Sequence, residues 1–394
     1  MSTSKYFILG GGMVAGYAAK ELMERGLRPG ELTILSAEHE LPYERPPLSK
    51  GFLAGKDSED SIRINPLDVY HEKGVDLKLG CEAVSVDTRR RTVRVRSGEE
   101  FSFERLVIAT GAEPLTLNIP GNDLQGFYYL RSLDDSKRIR YRTEKAKRAV
   151  VVGGGFIAME SAAVLASKDI ETTIVLRDER VWKRFFTPRM SQFFEGYFTA
   201  RGVQFVRNSY IIDARGEGYL SSVTLSGGRC LACNLVVAGL GVRPIIGLLE
   251  GSGIQTGDGV IVNEFLETNV PGIYAAGDVA NYFDTLFNKR RRVEHWDNAV
   301  SQGQHCARAL TGERTPFVHV PYFFSDVFDL SYEFWGETDG ADQVIERGDL
   351  TTSSFSVWWL KEKRLIGAFV MNRPDEERQN APKWIEAKSA GDLL

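Results

Sequence analysis

Three things are scarce in this sequence: cysteine, long apolar runs and an excess of charge of one sign. Only four of its 394 residues are cysteine, and the net charge is −4. A nearly neutral chain offers no broad electrostatic surface for nucleic acid or for an anionic membrane. No apolar stretch approaches the ~20 residues of a membrane-spanning helix, and too few residues precede the first strand-like run for a signal peptide. We therefore expect a cytoplasmic protein without a nucleic-acid or membrane partner.

Two of the cysteines, Cys230 and Cys233, form a C-x-x-C pair. A redox pair or half of a zinc site is one interpretation of this spacing. A redox pair is usually placed at a helix N-terminus, which lowers the thiol pKa, whereas this one follows a glycine turn and precedes the strand-like run 235–237. No second Cys/His pair stands at zinc spacing. We therefore favour a structural role and predict no metal site.

Two strand–turn–helix segments, residues 7–15 and 150–158, carry the pattern G-x-G-x-x-A. In each, the first glycine allows a tight turn, the second lets the backbone approach a pyrophosphate, and the small third residue lets the helix pack on the strand. These positions are Gly10, Gly12 and Ala15 in the first segment, and Gly153, Gly155 and Ala158 in the second. Two such motifs in one chain predict two bound dinucleotides, with electron transfer between them.

A carboxylate follows each motif after its second strand. Glu38 and Asp178 each lie roughly 25 residues beyond the first glycine, where an acidic side chain binds the ribose hydroxyls of an adenosine. At the second motif, Asp178 opposes a 2′-phosphate and the adjacent Arg177 could attract one. We therefore expect NADH at this site, with NADPH as the alternative.

A rigid loop and an aromatic C-terminal region complete the pattern. Prolines at 42, 46 and 47 predict a stiff, extended segment that ends at Lys50, and a loop of this kind suits a binding site better than a connector. A buried strand at 105–108 leads into the small residues 109–111. From residue 321 onward, aromatic strand-like segments predict a small third domain.

Five segments together carry a family resemblance: residues 10–12, 43–50, 109–111, 153–155 with Glu160, and 274–278. In this order they resemble the FAD-dependent pyridine-nucleotide oxidoreductases, in the branch that holds oxygenase-coupled ferredoxin reductases, apoptosis-inducing-factor-like proteins and monodehydroascorbate reductases. Residues 9–20, 185–202, 288–295 and 321–336 are most similar to the monodehydroascorbate reductases. Phe324 stands where those enzymes more often have Tyr, and Trp296 follows His295 as in the ferredoxin reductases.

The resemblance implies an α/β fold with two Rossmann-like, glutathione-reductase-like domains for FAD and NAD and a small α+β C-terminal domain. The expected boundaries are 1–114 with 246–318 for FAD, 115–245 for NAD(P)H, and 319–394 for the C-terminal domain. It further implies that Lys50, paired with Glu160, is catalytic beside the flavin. The expected cofactor-binding residues are Gly10, Gly12, Ala15, Glu38, Arg45, Lys50, Ala109, Thr110, Gly111, Arg131, Gly153, Gly155, Ala158, Glu160, Asp178, Gly241, Gly277, Asp278, Glu294, His295 and Trp296.

The absence of a cysteine pair near the first ribose-binding strand bears on how electrons leave the flavin. Disulfide reductases of this superfamily place a reactive cysteine pair just past the first ribose-binding strand, and residues 41–50 contain no cysteine. Electrons should therefore pass directly to an external acceptor. The basic run 289–292 suggests a port for an anion, with Arg292 as the substrate-binding residue. We expect monodehydroascorbate as the acceptor; the alternatives are a ferredoxin- or rubredoxin-type protein and a redox switch like apoptosis-inducing factor.

Overall fold

The computed structural model describes residues 3–391 and Leu393. Within them the chain divides into two compact units, each assembled from three separate segments. The first unit takes in the chain up to Arg45 together with Glu59–Glu113 and Arg243–Tyr322. The second comprises Pro46–Ser58, Pro114–Val242 and the chain from Phe323 onward.

The first unit is built on a mixed sheet with a parallel centre. Its strands are, in chain order, Thr3–Leu9, Leu32–Leu35, Asp76–Lys78, Ala83–Asp87, Thr92–Val95, Glu100–Ile108 and Ile273–Ala275. A smaller sheet contains Thr256–Gly257, Gly259–Ile261, Ala280–Asp284 and Lys289–Arg291. The helices are Met13–Glu24, Leu67–Glu72 and Trp296–Leu310, and 3₁₀ turns lie at Asp60–Ile62, Gly247–Leu249 and Gly277–Val279.

The register of this sheet decides where its loops meet. Leu9 pairs in parallel with Leu35 on one side and with Ile108 on the other, and Ile108 also pairs with Ala275. The four strands therefore end side by side. Because loops that follow the carboxyl ends of parallel strands share one edge of the sheet, the segments beginning at residues 10, 36, 109 and 276 are brought to that edge.

The second unit contains a five-stranded parallel sheet, a three-stranded antiparallel sheet and a C-terminal sheet. The parallel sheet has the order Gln204–Val206, Glu171–Val175, Arg148–Val152, Leu235–Ala238, Phe127–Tyr129. The three-stranded sheet consists of Ile211–Glu217, Tyr219–Leu225 and Cys230–Ala232. Val152 lies opposite Val175 and Ala238, so the segments after residues 152, 175 and 238 share one edge, as in the first unit.

The C-terminal sheet is antiparallel and rich in aromatic residues. Its strands are Tyr322–Val327, Leu330–Gly336, Gln343–Asp349, Ser354–Lys361 and Arg364–Met371. The helices of the second unit are Gly51–Ala54, Leu133–Thr143, Phe156–Ser167, Pro188–Thr199 and Asp375–Glu386, with 3₁₀ turns at Pro46–Ser49 and Leu350–Thr352. Two short strands, Ala112–Pro114 and Val242–Pro244, lie where the chain passes from one unit to the other.

The first helix begins at Met13, directly after the glycine turn, and the small residues at its start are buried. One local prediction needs correction. The proline-rich loop is not extended throughout. Pro46–Ser49 forms a 3₁₀ turn, which the φ fixed by two prolines also permits.

Candidate active site

The first fingerprint forms an open cradle at the edge of the first sheet. Gly10 has φ +128°, and a Cβ there would lie 2.1 Å from the backbone oxygen of Ala109, so only glycine fits. A Cβ on Gly12 would find its nearest described neighbour, an Arg45 nitrogen, at 3.8 Å. No side chain of the described residues caps the helix that begins at Met13. Backbone N–H groups with space in front of them suit a pyrophosphate.

Glu38 lies beside this cradle and is already oriented. The hydroxyl of Tyr43 donates to its carboxylate at 2.6 Å, and an Arg45 nitrogen donates at 2.5 Å. The side chain remains partly exposed, so its oxygens can also accept from ribose hydroxyls. Arg45, predicted to contact the cofactor, thus also fixes the residue expected to bind the adenosine.

Gly277 contacts a buried polar side chain of the helix Trp296–Leu310. The backbone N–H of Gly277 donates to the side-chain oxygen of Gln302 at 2.8 Å. Gln302 and Asn298 are both fully buried on the helix Trp296–Leu310, and the Gln302 nitrogen and Asn298 oxygen have no hydrogen-bond partner among the described residues. Because buried polar atoms are normally paired, these two atoms suit a polar ligand, and the flavin fits here.

Glu44 connects the start of that helix with the helix Met13–Glu24. Trp296 donates its indole N–H to Glu44 at 2.5 Å, and Tyr17 donates its hydroxyl to the same carboxylate at 2.6 Å. Burial lowers the pKa of His295 to about 4, so the ring is neutral at physiological pH. Glu44 therefore ties the loop to two helices of the first unit.

Arg292 is held by acceptors of the protein itself. Its guanidinium contacts Asp258 at 3.0 Å and Glu294 at 2.6 Å, and donates to the backbone oxygen of Asp278 at 3.1 Å. Only 10% of its side chain is exposed. Two carboxylates compensate its charge, so the contacts indicate that Arg292 positions the segment around Asp278; they do not support an open anion port.

The rest of the basic run has a similar role. It forms the strand Lys289–Arg291. Arg290 donates to the backbone oxygens of Val262 and Asn281, and Arg291 pairs with the buried Asp284. These arginines therefore hold the smaller sheet together.

The small residues after the strand Glu100–Ile108 line the same edge of the first unit. Ala109 is nearly buried, and Thr110 donates its hydroxyl to the backbone oxygen of Ile245 at 2.8 Å. Gly111 has φ +67°, which favours glycine. The sheet register thus brings these predicted residues to the side of the unit where Gly12 and Asp278 lie.

The second fingerprint repeats the cradle in the second unit. A Cβ on Gly153 (φ +119°) would lie 2.2 Å from the backbone oxygen of Gly239, whereas a Cβ on Gly155 would meet no described atom within 4 Å. The helix Phe156–Ser167 starts there, again without a side-chain cap from the described residues. Ala158 packs nearly fully buried behind it.

The other residues predicted for the second cofactor follow strands of the same sheet. Arg131 follows the strand Phe127–Tyr129 and Gly241 follows Leu235–Ala238. Asp178, with 60% of its side chain exposed, follows Glu171–Val175 and lies 3.8 Å from Lys183. Arg177 stacks over the ring of Tyr210 at 5.0 Å. The carboxylate thus faces solvent, while the neighbouring guanidinium is engaged with an aromatic face.

Lys50 and Glu160 meet within the second unit. The Lys50 ammonium lies 3.2 Å from the Glu160 carboxylate, and their side chains are 14% and 5% exposed. The hydroxyls of Ser49 and Ser325 donate to the same carboxylate at 2.5 and 2.6 Å. The ring of Phe324 lies 4.4 Å from the ammonium. The structure therefore brings the two predicted catalytic residues together in a nearly buried, hydrogen-bonded cluster.

Several members of these sites were missed in the sequence. Ser49 and Ser325 both lay inside segments that carried the resemblance, and a hydroxyl next to a charged residue was the available signal. Tyr17 and Glu44 also lay inside such segments, but nothing in the sequence linked them to each other or to Trp296. Gln302 lay outside the segments, and its partner Gly277 lies 25 positions away.

The C-x-x-C pair is not arranged as a redox centre. Cys230 is exposed at the start of a strand, and Cys233 is buried, which raises its pKa to about 12. A redox pair needs a lowered thiol pKa, so the structural interpretation is favoured. Across residues 3–391 and Leu393, no cluster of three or more His, Cys, Asp or Glu side chains could hold a metal ion, and no helix is long and apolar enough to cross a membrane.

Comparison with known protein families identifies the family to which this chain belongs. The family model described as pyridine nucleotide-disulphide oxidoreductase matches residues 4–303, and a reductase C-terminal model matches residues 322–390. The chain belongs to the pyridine nucleotide-disulphide oxidoreductase family. Among the members of this family, the curated monodehydroascorbate reductase of Pisum sativum is 35% identical over 98% of this chain and 95% of its own length. Monodehydroascorbate reductase 2 of Arabidopsis thaliana is 34% identical over 99% and 95%.

Solved structures of the same family add ferredoxin reductases. The ferredoxin reductase for the CYP199A2 system of Rhodopseudomonas palustris has a TM-score of 0.91 and 34% identity over 96% of this chain and 93% of that one. The putidaredoxin reductase in its covalent complex with putidaredoxin has a TM-score of 0.94 and 29% identity, over 98% and 94%. The predicted α/β fold with two dinucleotide-binding domains and a C-terminal domain is confirmed.

This oxidoreductase is an FAD-dependent NAD(P)H enzyme, as the paired fingerprints predicted. Within the described residues, the first cradle with Glu38 and Asp278 fits FAD, and the second with Asp178 fits the nicotinamide dinucleotide. When bound, FAD supplies the acceptor for a hydride from the nicotinamide. The two cradles would bind the phosphates, Glu38 and Asp178 would orient the adenosines, and Glu160 holds the Lys50 charge in place.

Proposed function

We propose that this enzyme oxidises NADH and passes the electrons one at a time to monodehydroascorbate. The observation that carries the proposal is the similarity to curated monodehydroascorbate reductases along 98% or more of the chain at 34–35% identity. Residues 41–50 contain no cysteine pair, which supports direct transfer to an external acceptor.

Lys50 is proposed to be the catalytic residue of the protein. Reduction of a flavin builds up negative charge, and a fixed ammonium stabilises that charge in a site with little water. Glu160 holds the ammonium at 3.2 Å in a nearly buried cluster. A buried pair costs desolvation energy unless its geometry is good, so the presence of a charged pair at this buried position supports a functional role over a purely stabilising one.

We propose NADH as the preferred nucleotide. The exposed Asp178 carboxylate would accept hydrogen bonds from the ribose hydroxyls and repel a 2′-phosphate. Arg177, which could bind that phosphate, lies instead over Tyr210. Lys183 reduces the repulsion, but it lies closer to Glu179, at 2.8 Å, than to Asp178, at 3.8 Å.

A small iron–sulfur protein is the second candidate acceptor. The putidaredoxin reductase structure, with which this chain shares 29% identity and a TM-score of 0.94, contains such a partner. A redox switch that resembles apoptosis-inducing factor is the third candidate, and it would keep its reduced flavin for a long time rather than turn over.

Steady-state NADH oxidation with each acceptor separates these proposals. We expect rapid turnover with ascorbate radical generated by ascorbate oxidase, and slow turnover with a panel of ferredoxins. The reverse order would establish the iron–sulfur acceptor and overturn the first proposal. Slow turnover with both, together with a long-lived reduced enzyme–NAD⁺ complex, would establish the switch.

A further inference from the structure

The Glu160 carboxylate accepts more donors than a simple ion pair requires. Ser325 and Lys50 both contact one of its oxygens, at 2.6 and 3.2 Å, and Ser49 donates to the other at 2.5 Å. Both serines are almost completely buried. Hydrogen bonds from these hydroxyls offset the cost of burying the charged carboxylate.

The three groups around Glu160 come from different parts of the second unit. Ser49 ends the 3₁₀ turn Pro46–Ser49, Glu160 lies in the helix Phe156–Ser167, and Ser325 lies in the C-terminal strand Tyr322–Val327. The two hydroxyls reach opposite oxygens of the carboxylate. Such an arrangement fixes the rotation of the carboxylate as well as its position.

Lys50 has a second carboxylate within reach. Asp326, the residue after Ser325, lies 4.0 Å from the ammonium, and 45% of its side chain is exposed. A lysine side chain has four rotatable bonds and no fixed geometry. An exposed carboxylate costs less desolvation than a buried one, so Asp326 competes with Glu160 for the same charge.

We propose that Ser49 and Ser325 are positioning residues that keep Lys50 on Glu160 rather than on Asp326. By locking both oxygens of Glu160, the hydroxyls hold the carboxylate in the orientation that the ammonium contacts. Without them Glu160 turns, and Lys50 moves towards the exposed Asp326. This inference rests on the proposed role of Lys50 in flavin reduction and adds the residues that hold the lysine there.

The central experiment compares Ser325→Ala alone with Ser325→Ala in an Asp326→Asn background. In the single variant we expect the limiting rate of anaerobic flavin reduction by NADH to fall by about ten- to hundredfold, because a displacement of about 1 Å can cost that much. The affinity for NAD⁺ should change little. In the Asp326→Asn background, measured against Asp326→Asn itself, the same substitution should cost much less, since the competing carboxylate is gone.

Two further variants provide an alternative test and a control for this comparison. Ser49→Ala removes the donor on the other oxygen and should also slow reduction, which keeps the test available if Ser325→Ala does not fold. Ser356→Ala removes a hydroxyl that is also fully buried in the C-terminal sheet but accepts from the Trp358 indole. Ser356→Ala should leave the reduction rate unchanged.

A second readout follows Lys50 directly. Reductive methylation of the oxidised holoenzyme, followed by peptide mass spectrometry, measures how accessible the Lys50 amine is. We expect the Lys50 amine to be modified faster in Ser325→Ala than in the wild type. In Ser325→Ala combined with Asp326→Asn, the rate of modification should return towards the wild-type rate, because the amine goes back to Glu160. Unchanged modification and reduction in Ser325→Ala, or slowed reduction that Asp326→Asn does not relieve, would overturn the proposal.

The variant Lys50→Ala distinguishes the catalytic role of Lys50 from the positioning role of the two serines. If Lys50→Ala reduces its flavin at the wild-type rate, the catalytic role of Lys50 is wrong, and the methylation result alone decides whether the serines hold it. If Lys50→Ala is slow but neither serine variant differs from the wild type, the positioning role is wrong and the catalytic role stands.

Discussion

Lys50 carries its charge where water reaches only 14% of its side chain. Its ammonium has a carboxylate at 3.2 Å and the face of Phe324 at 4.4 Å, and both contacts favour a fixed cation. A charge held in this way needs no reorganisation when negative charge develops nearby. At the residue scale, the proposed role of Lys50 therefore depends on the position of its charge and needs no proton transfer.

Replacing the ammonium should affect chemistry more than binding. In Lys50→Ala we expect the limiting rate of flavin reduction to fall by about a hundred- to thousandfold, while the dissociation constant for NADH changes much less. Anaerobic stopped-flow reduction at several NADH concentrations separates the two quantities. Lys145→Ala, which removes an exposed lysine whose ammonium lies over the ring of Tyr141, serves as the control. A weaker NADH affinity at an unchanged rate would contradict the assignment.

The cofactor preference also depends on one residue. Asp178→Ala should shift the ratio of kcat/KM towards NADPH by about tenfold, which corresponds to about 1.4 kcal/mol, because it removes the carboxylate opposed to a 2′-phosphate. Steady-state kinetics with both nucleotides measures the ratio. Glu179→Gln removes the neighbouring exposed carboxylate, and an equal shift in that variant would show a general charge effect instead of a specific contact.

At the scale of elements, the strand–turn–helix motif uses its two glycines for different purposes. A Cβ on Gly10 or Gly153 would overlap the backbone that follows a neighbouring strand, whereas a Cβ on Gly12 or Gly155 would meet no described atom closer than 3.8 Å. The fold thus requires the first glycine, and the second leaves space for a ligand. The pattern G-x-G-x-x-A in the sequence does not distinguish these roles, since both positions are simply glycine.

Alanine substitutions separate the two roles. Gly12 has φ −88°, and an added methyl meets nothing closer than 3.8 Å among the described residues, so Gly12→Ala should fold yet bind FAD weakly. Gly10→Ala should fail to fold, because its Cβ would overlap a backbone oxygen. Circular dichroism and the flavin absorbance of the purified protein test both. Full flavin content in Gly12→Ala would mean that the pyrophosphate does not approach this turn.

Strands and turns were best predicted from the sequence where a run of apolar residues is also buried in the structure. The strands around Phe7 and Val151 and the turns after them follow from apolar runs and glycine spacing. The role of Arg292 was not predictable in this way, because its partners Asp258 and Asp278 lie 34 and 14 positions away. A run of four basic residues looks like a surface port until each charge is matched to the carboxylate or carbonyl that it contacts.

At the scale of the whole molecule, buried histidines couple stability to pH. Burial lowers the pKa of His295 and of His305 to about 4, below the ordinary value of 6.5. The unfolded chain therefore binds more protons than the folded chain between these values, and stability falls as the pH is lowered from about 6.5 towards 4. At pH 5 the loss is on the order of 2 kcal/mol for each histidine.

Thermal unfolding at pH 7.5 and pH 5 tests this coupling. The melting temperature of the wild type should be lower at pH 5, and the drop should be smaller in His305→Gln, which cannot take up a proton. His71→Gln, at an exposed position, should keep the wild-type drop. Equal drops in both variants would show that other groups dominate the acid response.

The main sheet of the first unit is completed by a strand that is synthesised late. Ile273–Ala275 covers the edge of Leu106–Ile108, and the helix Trp296–Leu310 lies so close to Met13–Glu24 that a Cβ on Gly303 would come 2.8 Å from the Val14 backbone oxygen. At ~5–20 residues per second, a ribosome needs roughly 15 to 50 s to extend the chain from the first glycine turn to these elements. The edge of the first unit that fits the flavin therefore stays incomplete until after the whole parallel sheet of the second unit has been synthesised.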